Sequence, residues 1–126
     1  MDFYLNSEQK AFADAVGKFA EKELAPGALE RAHNPEYPWA IAQKISAQGL
    51  LGITFSEEDG GMGGTLMDAV IAIQEVALHC PKSADVVQAG NFGAIRTFVE
   101  YASAAQKEKY LPDLLAGKKI LGLGMS

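Results

Sequence analysis

The chain has 126 residues, of which 48% are hydrophobic and 21% are charged, and its formal net charge is −5. These values predict one ordinary globular domain. The acidic balance argues against nucleic acid as a partner, because a phosphate backbone needs a basic patch. No apolar run approaches the length of a membrane span. A single cysteine, Cys80, excludes an internal disulfide and suits a reducing cytoplasm. We expect it to be a buried thiol.

The first part of the chain predicts two helices separated by an irregular segment. Asn6–Gln9 has the pattern of a capping box, and the helix that it opens is expected to end at Pro26. Residues 27–38 show no helical period. A second helix is expected to begin at Pro38 or at the next residue and to stop at Gly49.

The stretch Gly49–Thr65 is the one around which the remaining elements are arranged. Its first half is apolar, with Leu50, Leu51, Ile53 and Phe55. Its second half has glycine at positions 60, 61, 63 and 64, which permits backbone angles closed to other residues. The pattern predicts a buried connection between helices that turns sharply at its end. The acidic run Glu57–Asp59 is interpreted as a solvated turn.

Further helices are predicted after this stretch. Thr65 is a good cap for a helix that runs to about His79, and its dense apolar positions favour a central helix covered by its neighbours. Ser83 is the expected cap of the next helix. Gly90 then indicates either a helix break or the close approach of another part of the chain, and the sequence leaves both alternatives open.

The last part of the chain changes character. Ser103–Gln106 predicts a second capping box and a short helix to Tyr110, followed by a further turn ending at Gly117. Residues 119–126 then combine apolar residues with glycine and show no helical period, which indicates the first strand of another domain. A lone strand is not stable. We therefore expect residues 1–118 to form an all-α, orthogonal or up-down bundle of about five to six helices, and residues 119–126 to begin an incomplete β-domain.

Four segments, in order and spacing, resemble the N-terminal domain of the acyl-CoA dehydrogenases. The segments are Leu5–Glu8 with Phe19–Pro26, Gly49–Gly63 (G-L-L-G-I, then E-E and G-G-M-G), Gln106–Gly117 (Q-K-E-K-Y-L-P, then L-A-G) and Gly122–Ser126 (G-L-G-M-S). Each segment alone is weakly specific, but together they span nearly the whole chain. The sequence departs from the family pattern at Ser56, where the family usually has proline.

The resemblance implies a subunit of three domains, in which a β-barrel and a second helical bundle follow this one. It implies an FAD-dependent enzyme that removes the α and β hydrogens of an acyl-CoA thioester and assembles as a homotetramer. A glutamate takes the α-proton, and that base belongs to the C-terminal bundle of the family. We therefore expect no catalytic residue and no metal site in this chain, and an isolated fragment that is inert and does not bind FAD.

The resemblance also implies three groups of site residues. The strand beside the flavin corresponds to Leu123, Met125 and Ser126. The far end of the acyl cavity corresponds to Val87, Ala89 and Gly90. The apolar patch for the electron-transfer flavoprotein corresponds to Leu50 and Met62. Gly64 replaces a larger residue of that patch, which puts binding of this partner in doubt.

A second hypothesis comes from another class of protein. The chain is equally compatible in composition with a non-catalytic helical interaction module derived from the family, without flavin chemistry. An independent module is expected to end in a polar tail, whereas this chain ends on an apolar pattern, which favours a piece of a longer dehydrogenase. Such a piece should expose the apolar face that meets the next domain, and it should self-associate through that face.

Overall fold

The computed structural model describes residues 3–126, and these residues form an all-helical bundle, which confirms the predicted fold class. The described part contains seven α-helices, and a π-helical segment, Ala20–Leu24, continues the first of them. The helices are α1 Ser7–Phe19, α2 Ala28–Ala32, α3 Trp39–Ala47, α4 Leu66–Ala77, α5 Pro81–Ala89, α6 Ala94–Tyr101 and α7 Ala104–Leu115.

The first helix begins at the predicted capping box. The backbone N–H of Gln9 donates to Asn6 Oδ1 at 2.8 Å, and the backbone N–H of Asn6 donates to Gln9 Oε1 at 2.9 Å. The short helix α2 lies in the segment that the sequence predicts to be irregular, so that prediction is wrong for five residues. Gly27 has a φ of 76° and its carbonyl accepts the Arg31 N–H at 2.9 Å, which closes a single helical turn that apolar periodicity does not reveal.

Helix α4 begins at the predicted cap, since Thr65 and Asp68 form a reciprocal capping box. The prediction that its neighbours cover it on most sides is wrong. Packing against α1 and α5 buries one side of the helix. Its other side leaves large apolar residues between 46% and 70% exposed, namely Leu66, Met67, Val70 and Leu78.

Two helix boundaries differ from the predicted ones. Helix α5 begins at Pro81 rather than after Ser83, because proline is pre-organised for the first turn. Ser83 instead lies inside the helix and is completely buried. Helix α7 runs continuously to Leu115 with Pro112 inside it, rather than as two short pieces. The predicted second capping box, between Ser103 and Gln106, is present.

The stretch Gly49–Thr65 passes between two hydrophobic clusters, as predicted. The larger cluster joins α1, α3, α4 and α5 and includes Leu50, Leu51 and Ile53. The smaller cluster joins the stretch to α6 and α7 through Phe55, Ile95, Leu111 and Leu114. The stretch therefore connects the two halves of the bundle.

Residues 119–126, called here the terminal segment, form neither a helix nor a strand and are exposed. The strand expected there remains a prediction. None of the helices within residues 3–126 combines the length and the apolar character that crossing a membrane requires.

Candidate functional site

Asn91 is a completely buried polar residue that fixes the apolar half of the Gly49–Thr65 stretch. Its Oδ1 accepts the Ile53 N–H at 2.7 Å. Its Nδ2 donates to the carbonyl of Leu50 at 2.9 Å and to that of Val87 at 2.7 Å. The oxygen and both amide hydrogens thus have partners, and a buried amide satisfied in this way holds one backbone geometry.

Gly90 brings the end of α5 against the same stretch. The Gly52 N–H donates to the Gly90 carbonyl at 2.9 Å. A Cβ atom added to Gly90 would overlap the Leu51 side chain at Cδ2 and would lie 3.3 Å from its Cγ. Both alternatives that the sequence leaves open are therefore realised, since α5 ends at Gly90 and another part of the chain approaches it closely.

A small cavity of about 20 Å³ lies at this contact, which is room for about one water molecule. Its inner wall is apolar and comes from the stretch, α5 and α6, with Leu51, Val86, Ala89, Gly90 and Ile95. Residues 119–121, the first part of the terminal segment, lie over it from outside. The cavity is therefore bounded by an ordered inner wall and by an exposed segment.

A larger cavity of about 380 Å³ adjoins the small one. The two share the walls formed by Tyr37, Val86 and Ala89. Burial raises the pKa of Tyr37 above its usual value, so its hydroxyl stays neutral at physiological pH. Lys82, at the edge of the larger cavity, donates to the backbone carbonyls of Arg31 and Asn34, which holds its ammonium group in place.

The predicted substrate residues divide between this surface and the core. Ala89 and Gly90 line the small cavity, and Ala89 also lines the larger one. Val87 is completely buried in the main cluster, and its carbonyl accepts a hydrogen bond from Asn91. Sequence reasoning missed Asn91 itself. The available signal was an amide residue placed directly after Gly90 inside an otherwise apolar pattern.

The predicted flavin residues lie in the terminal segment, just beyond the residues that cover the small cavity. Leu123 is 62% exposed, Met125 is 86% exposed, and Ser126 is exposed. A Cβ atom added to Gly122 or Gly124 would meet nothing within 4 Å. The backbone and side chains of this segment thus have open space beside them.

The predicted partner residues lie on the opposite side of the stretch. Leu50 is only 2% exposed and forms the floor of a shallow cavity of about 210 Å³, walled by Phe12 and other residues of α1. Met62 is 58% exposed and borders a neighbouring cavity of about 230 Å³, which Gly64 also lines. Both cavities include Phe12 and Gln48, so they form one groove between α1 and the stretch.

The acidic turn is more ordered than the sequence predicts. Glu57 and Glu58 are exposed, but Asp59 forms an ion pair with Lys107 of α7 at 3.3 Å. Both side chains of the pair are about three-quarters buried, at 22% and 26% exposure. This pair fastens the glycine-rich half of the stretch to α7, next to a cavity of about 440 Å³.

Cys80 is completely buried, as predicted, and is reduced. Burial alone would raise the pKa of its thiol, but hydrogen bonds from Ser83 Oγ at 3.0 Å and from the Arg31 guanidinium at 3.7 Å outweigh that effect and lower it. Within residues 3–126, no group of three or more histidine, cysteine or acidic residues is arranged to hold a metal ion.

Helices packed around a glycine-rich stretch, with an apolar cavity wall at the end of α5, define a class of ligand-cavity domain. A family model described as acyl-CoA dehydrogenase, N-terminal domain, matches residues 6–118. The chain belongs to this family, which confirms the resemblance found in its motifs.

Individual relatives agree with this assignment. The short-chain-specific acyl-CoA dehydrogenase of Clostridium acetobutylicum is 33% identical over the whole chain, which spans 33% of that relative. The 3-sulfinopropanoyl-CoA desulfinase of Paraburkholderia xenovorans is 32% identical over 93% of the chain and 30% of its own length. The structure of butyryl-CoA dehydrogenase from Megasphaera elsdenii matches with a TM-score of 0.79 and 31% identity, over 95% of this chain and 32% of that one. The chain thus spans about a third of the length of its relatives.

Proposed function

We propose that this chain is the N-terminal domain of an FAD-dependent acyl-CoA dehydrogenase, in which it supplies one wall of the cavity that holds the acyl chain. The observation that carries the proposal is the meeting of two predicted sites. The small cavity is lined by Ala89 and Gly90 from the predicted substrate group, and residues 119–121 lead from it directly into the predicted flavin group. Substrate carbon atoms and the flavin must lie side by side in such an enzyme.

The residues present fit one side of a flavin site. Leu123 and Met125 offer exposed apolar contacts, and Ser126 offers a hydroxyl that can hydrogen-bond the ring. When bound, FAD accepts the β-hydride as an electron pair. The wall formed by Leu51 and Gly90 excludes water around the acyl chain, and a dry site increases the power of a carboxylate to remove the α-proton.

We propose that this carboxylate comes from outside residues 1–126, because Tyr37 and Lys119 are the polar side chains among the described lining residues of the small cavity. In the reaction, the α-proton leaves to that base and the β-hydride leaves to FAD, so that a carbon–carbon double bond forms and FAD is reduced. The role of this chain is to bind and shape the acyl group rather than to move the proton.

We propose that electrons leave through a partner at the groove between α1 and the stretch. Leu50 at its floor and Met62 at its rim give it apolar character suited to an electron-transfer flavoprotein. The groove widens at Gly64, which has no side chain to fill it, and this should weaken the contact. A cytoplasmic homotetramer remains part of the proposal.

A second candidate function is a helical interaction module. The observation that favours it is the exposed face of α4, where Leu66, Met67 and Val70 are each about half exposed. Exposed apolar residues that lie together usually mark an interaction site. The module would use this face to bind another protein chain, or a second copy of itself, and would carry no flavin.

The test is to purify the product of the longest reading frame that contains this sequence. The proposal expects FAD to copurify in a one-to-one ratio with the subunit and butyryl-CoA to bleach its absorbance under anaerobic conditions. Protein without flavin, or flavin that no acyl-CoA thioester reduces, would overturn the proposal in favour of the module. A Val70→Glu variant is the matched control: it should leave the bleaching unchanged, whereas a module that binds through α4 should lose its partner.

A further inference from the structure

The contact between Leu51 and Gly90 lies at the inner end of the small cavity. Leu51 is 6% exposed and reaches Gly90 from the stretch, while Ile95 of α6 closes the same end from another side. Only about 20 Å³ remains between these residues. The inner end therefore has no room for a further run of methylene groups, and the Leu51 side chain is the part of the wall that fills the space beside Gly90.

Leu51 is not free to move out of this position. The residues before and after it are tied to the end of α5 and the turn that follows. Asn91 accepts from Ile53 and donates to Leu50, and Gly52 donates to Gly90. Hydrogen bonds on both sides of Leu51 thus fix its backbone, and its side chain lies where Gly90 leaves space for it.

We propose that Leu51, held against Gly90 by the Asn91 amide, closes the inner end of the acyl cavity and sets the length of the acyl chain that the enzyme accepts. This inference rests on the proposed function. Leu51 is then a specificity-determining residue, and Asn91 is a positioning residue that acts through it. A hydrophobic pocket discriminates between chains by about 10-fold or more for each methylene that it admits or rejects.

The experiment uses the full-length enzyme and compares butyryl-CoA with octanoyl-CoA. The rate of flavin bleaching and the equilibrium binding of each thioester are measured for the wild type, Leu51→Val and Leu51→Ala. Leu51→Ala should raise the octanoyl-to-butyryl ratio of kcat/KM by at least about 10-fold, with Leu51→Val between it and the wild type. The binding ratio should shift in the same direction.

Leu24→Ala is the matched control, because Leu24 is also a leucine buried in the main cluster and lies outside both cavities that include Ala89. It should lower the thermal stability as Leu51→Ala does and leave the octanoyl-to-butyryl ratio unchanged. An equal change of the ratio in Leu24→Ala would mean that general loosening of the core causes it, and this would overturn the inference.

A second pair of variants tests the contact itself. Gly90→Ala places a methyl group where the Leu51 side chain lies, so it should lower the affinity for both thioesters and the melting temperature. Adding Leu51→Ala removes the overlapping atoms and should restore butyryl-CoA binding. An absence of rescue would contradict the geometry.

The two levels of the argument fail differently. A wild-type enzyme that binds no FAD, or that no acyl-CoA thioester reduces, overturns the proposed function and this inference with it. An active wild-type enzyme whose Leu51→Ala variant keeps the same chain-length ratio overturns this inference alone.

Discussion

Two regions of this chain share a composition and differ in order. The stretch Gly49–Thr65 and the terminal segment both mix glycine with large apolar residues. In the stretch, Leu50, Leu51 and Ile53 are buried and the backbone is hydrogen-bonded to Gly90 and Asn91. In the terminal segment, the apolar residues are between 39% and 86% exposed.

The difference comes from the polar groups that the rest of the chain provides. A buried connection needs a partner for each backbone amide and carbonyl, and for the stretch a single asparagine supplies partners for two of them. Nothing equivalent faces the terminal segment within residues 3–126. The stretch is therefore a finished wall, whereas we propose that the terminal segment is ordered by parts of the protein beyond this chain.

Replacing Asn91 with leucine should break the finished wall most severely. It leaves the Ile53 N–H and the carbonyls of Leu50 and Val87 without their buried partner. We expect a loss of about 4 kcal/mol in the free energy of unfolding, since each buried unpaired group costs about 1–3 kcal/mol. Urea denaturation followed by circular dichroism measures it. The control, Asn34→Leu, alters an exposed loop residue and should cost far less. Similar losses in the two variants would contradict the role given to Asn91.

A matched pair of glycine substitutions compares the two regions directly. A Cβ atom on Gly61 would overlap the Phe55 carbonyl oxygen and lie 2.6 Å from that of Gly52, and backbone atoms cannot move aside. Gly61→Ala should therefore cost about 3 kcal/mol. Gly122→Ala in the terminal segment meets nothing within 4 Å and should change stability by less than about 0.5 kcal/mol. The melting temperatures of the two variants give the answer, and an equal shift would erase the distinction between the regions.

The smallest effect concerns the ion pair nearest to each region. Asp59–Lys107 fastens the stretch and is about three-quarters buried, whereas Asp113–Lys119 lies at the start of the terminal segment and is about half exposed. Double-mutant cycles with Asp→Asn and Lys→Met should give a coupling energy of about 1 kcal/mol for the first pair and about 0.3 kcal/mol or less for the second. A larger coupling energy for the second pair would show that the terminal segment is fixed within this chain.

Features with a local sequence signal were predictable. The capping boxes at Asn6, Thr65 and Ser103 depend on residues three apart, and all three are present. The burial of Leu50 and Leu51 follows from an apolar run that no water-exposed loop would carry.

Features that depend on distant residues were not predictable in the same way. The Asn91 bonds to Leu50 and Ile53 join positions about forty residues apart, and the Asp59–Lys107 pair joins residues separated by 48. Periodicity also could not show that α4 is covered on one side only, because that depends on which neighbours pack against it. Candidate site residues could be named from motifs, but their division between the core, as for Val87, and a cavity wall, as for Ala89, required the fold.

The most direct test of the central claim is amide hydrogen exchange measured by NMR on this chain and on the full-length protein. The account predicts that the Gly52 and Ile53 amides are strongly protected in both, because their acceptors, Gly90 and Asn91, lie within this chain. It predicts that the amides of residues 120–126 exchange rapidly in this chain and become protected only in the full-length protein. Protection of residues 120–126 in this chain alone, or rapid exchange at Gly52 and Ile53, would contradict the account.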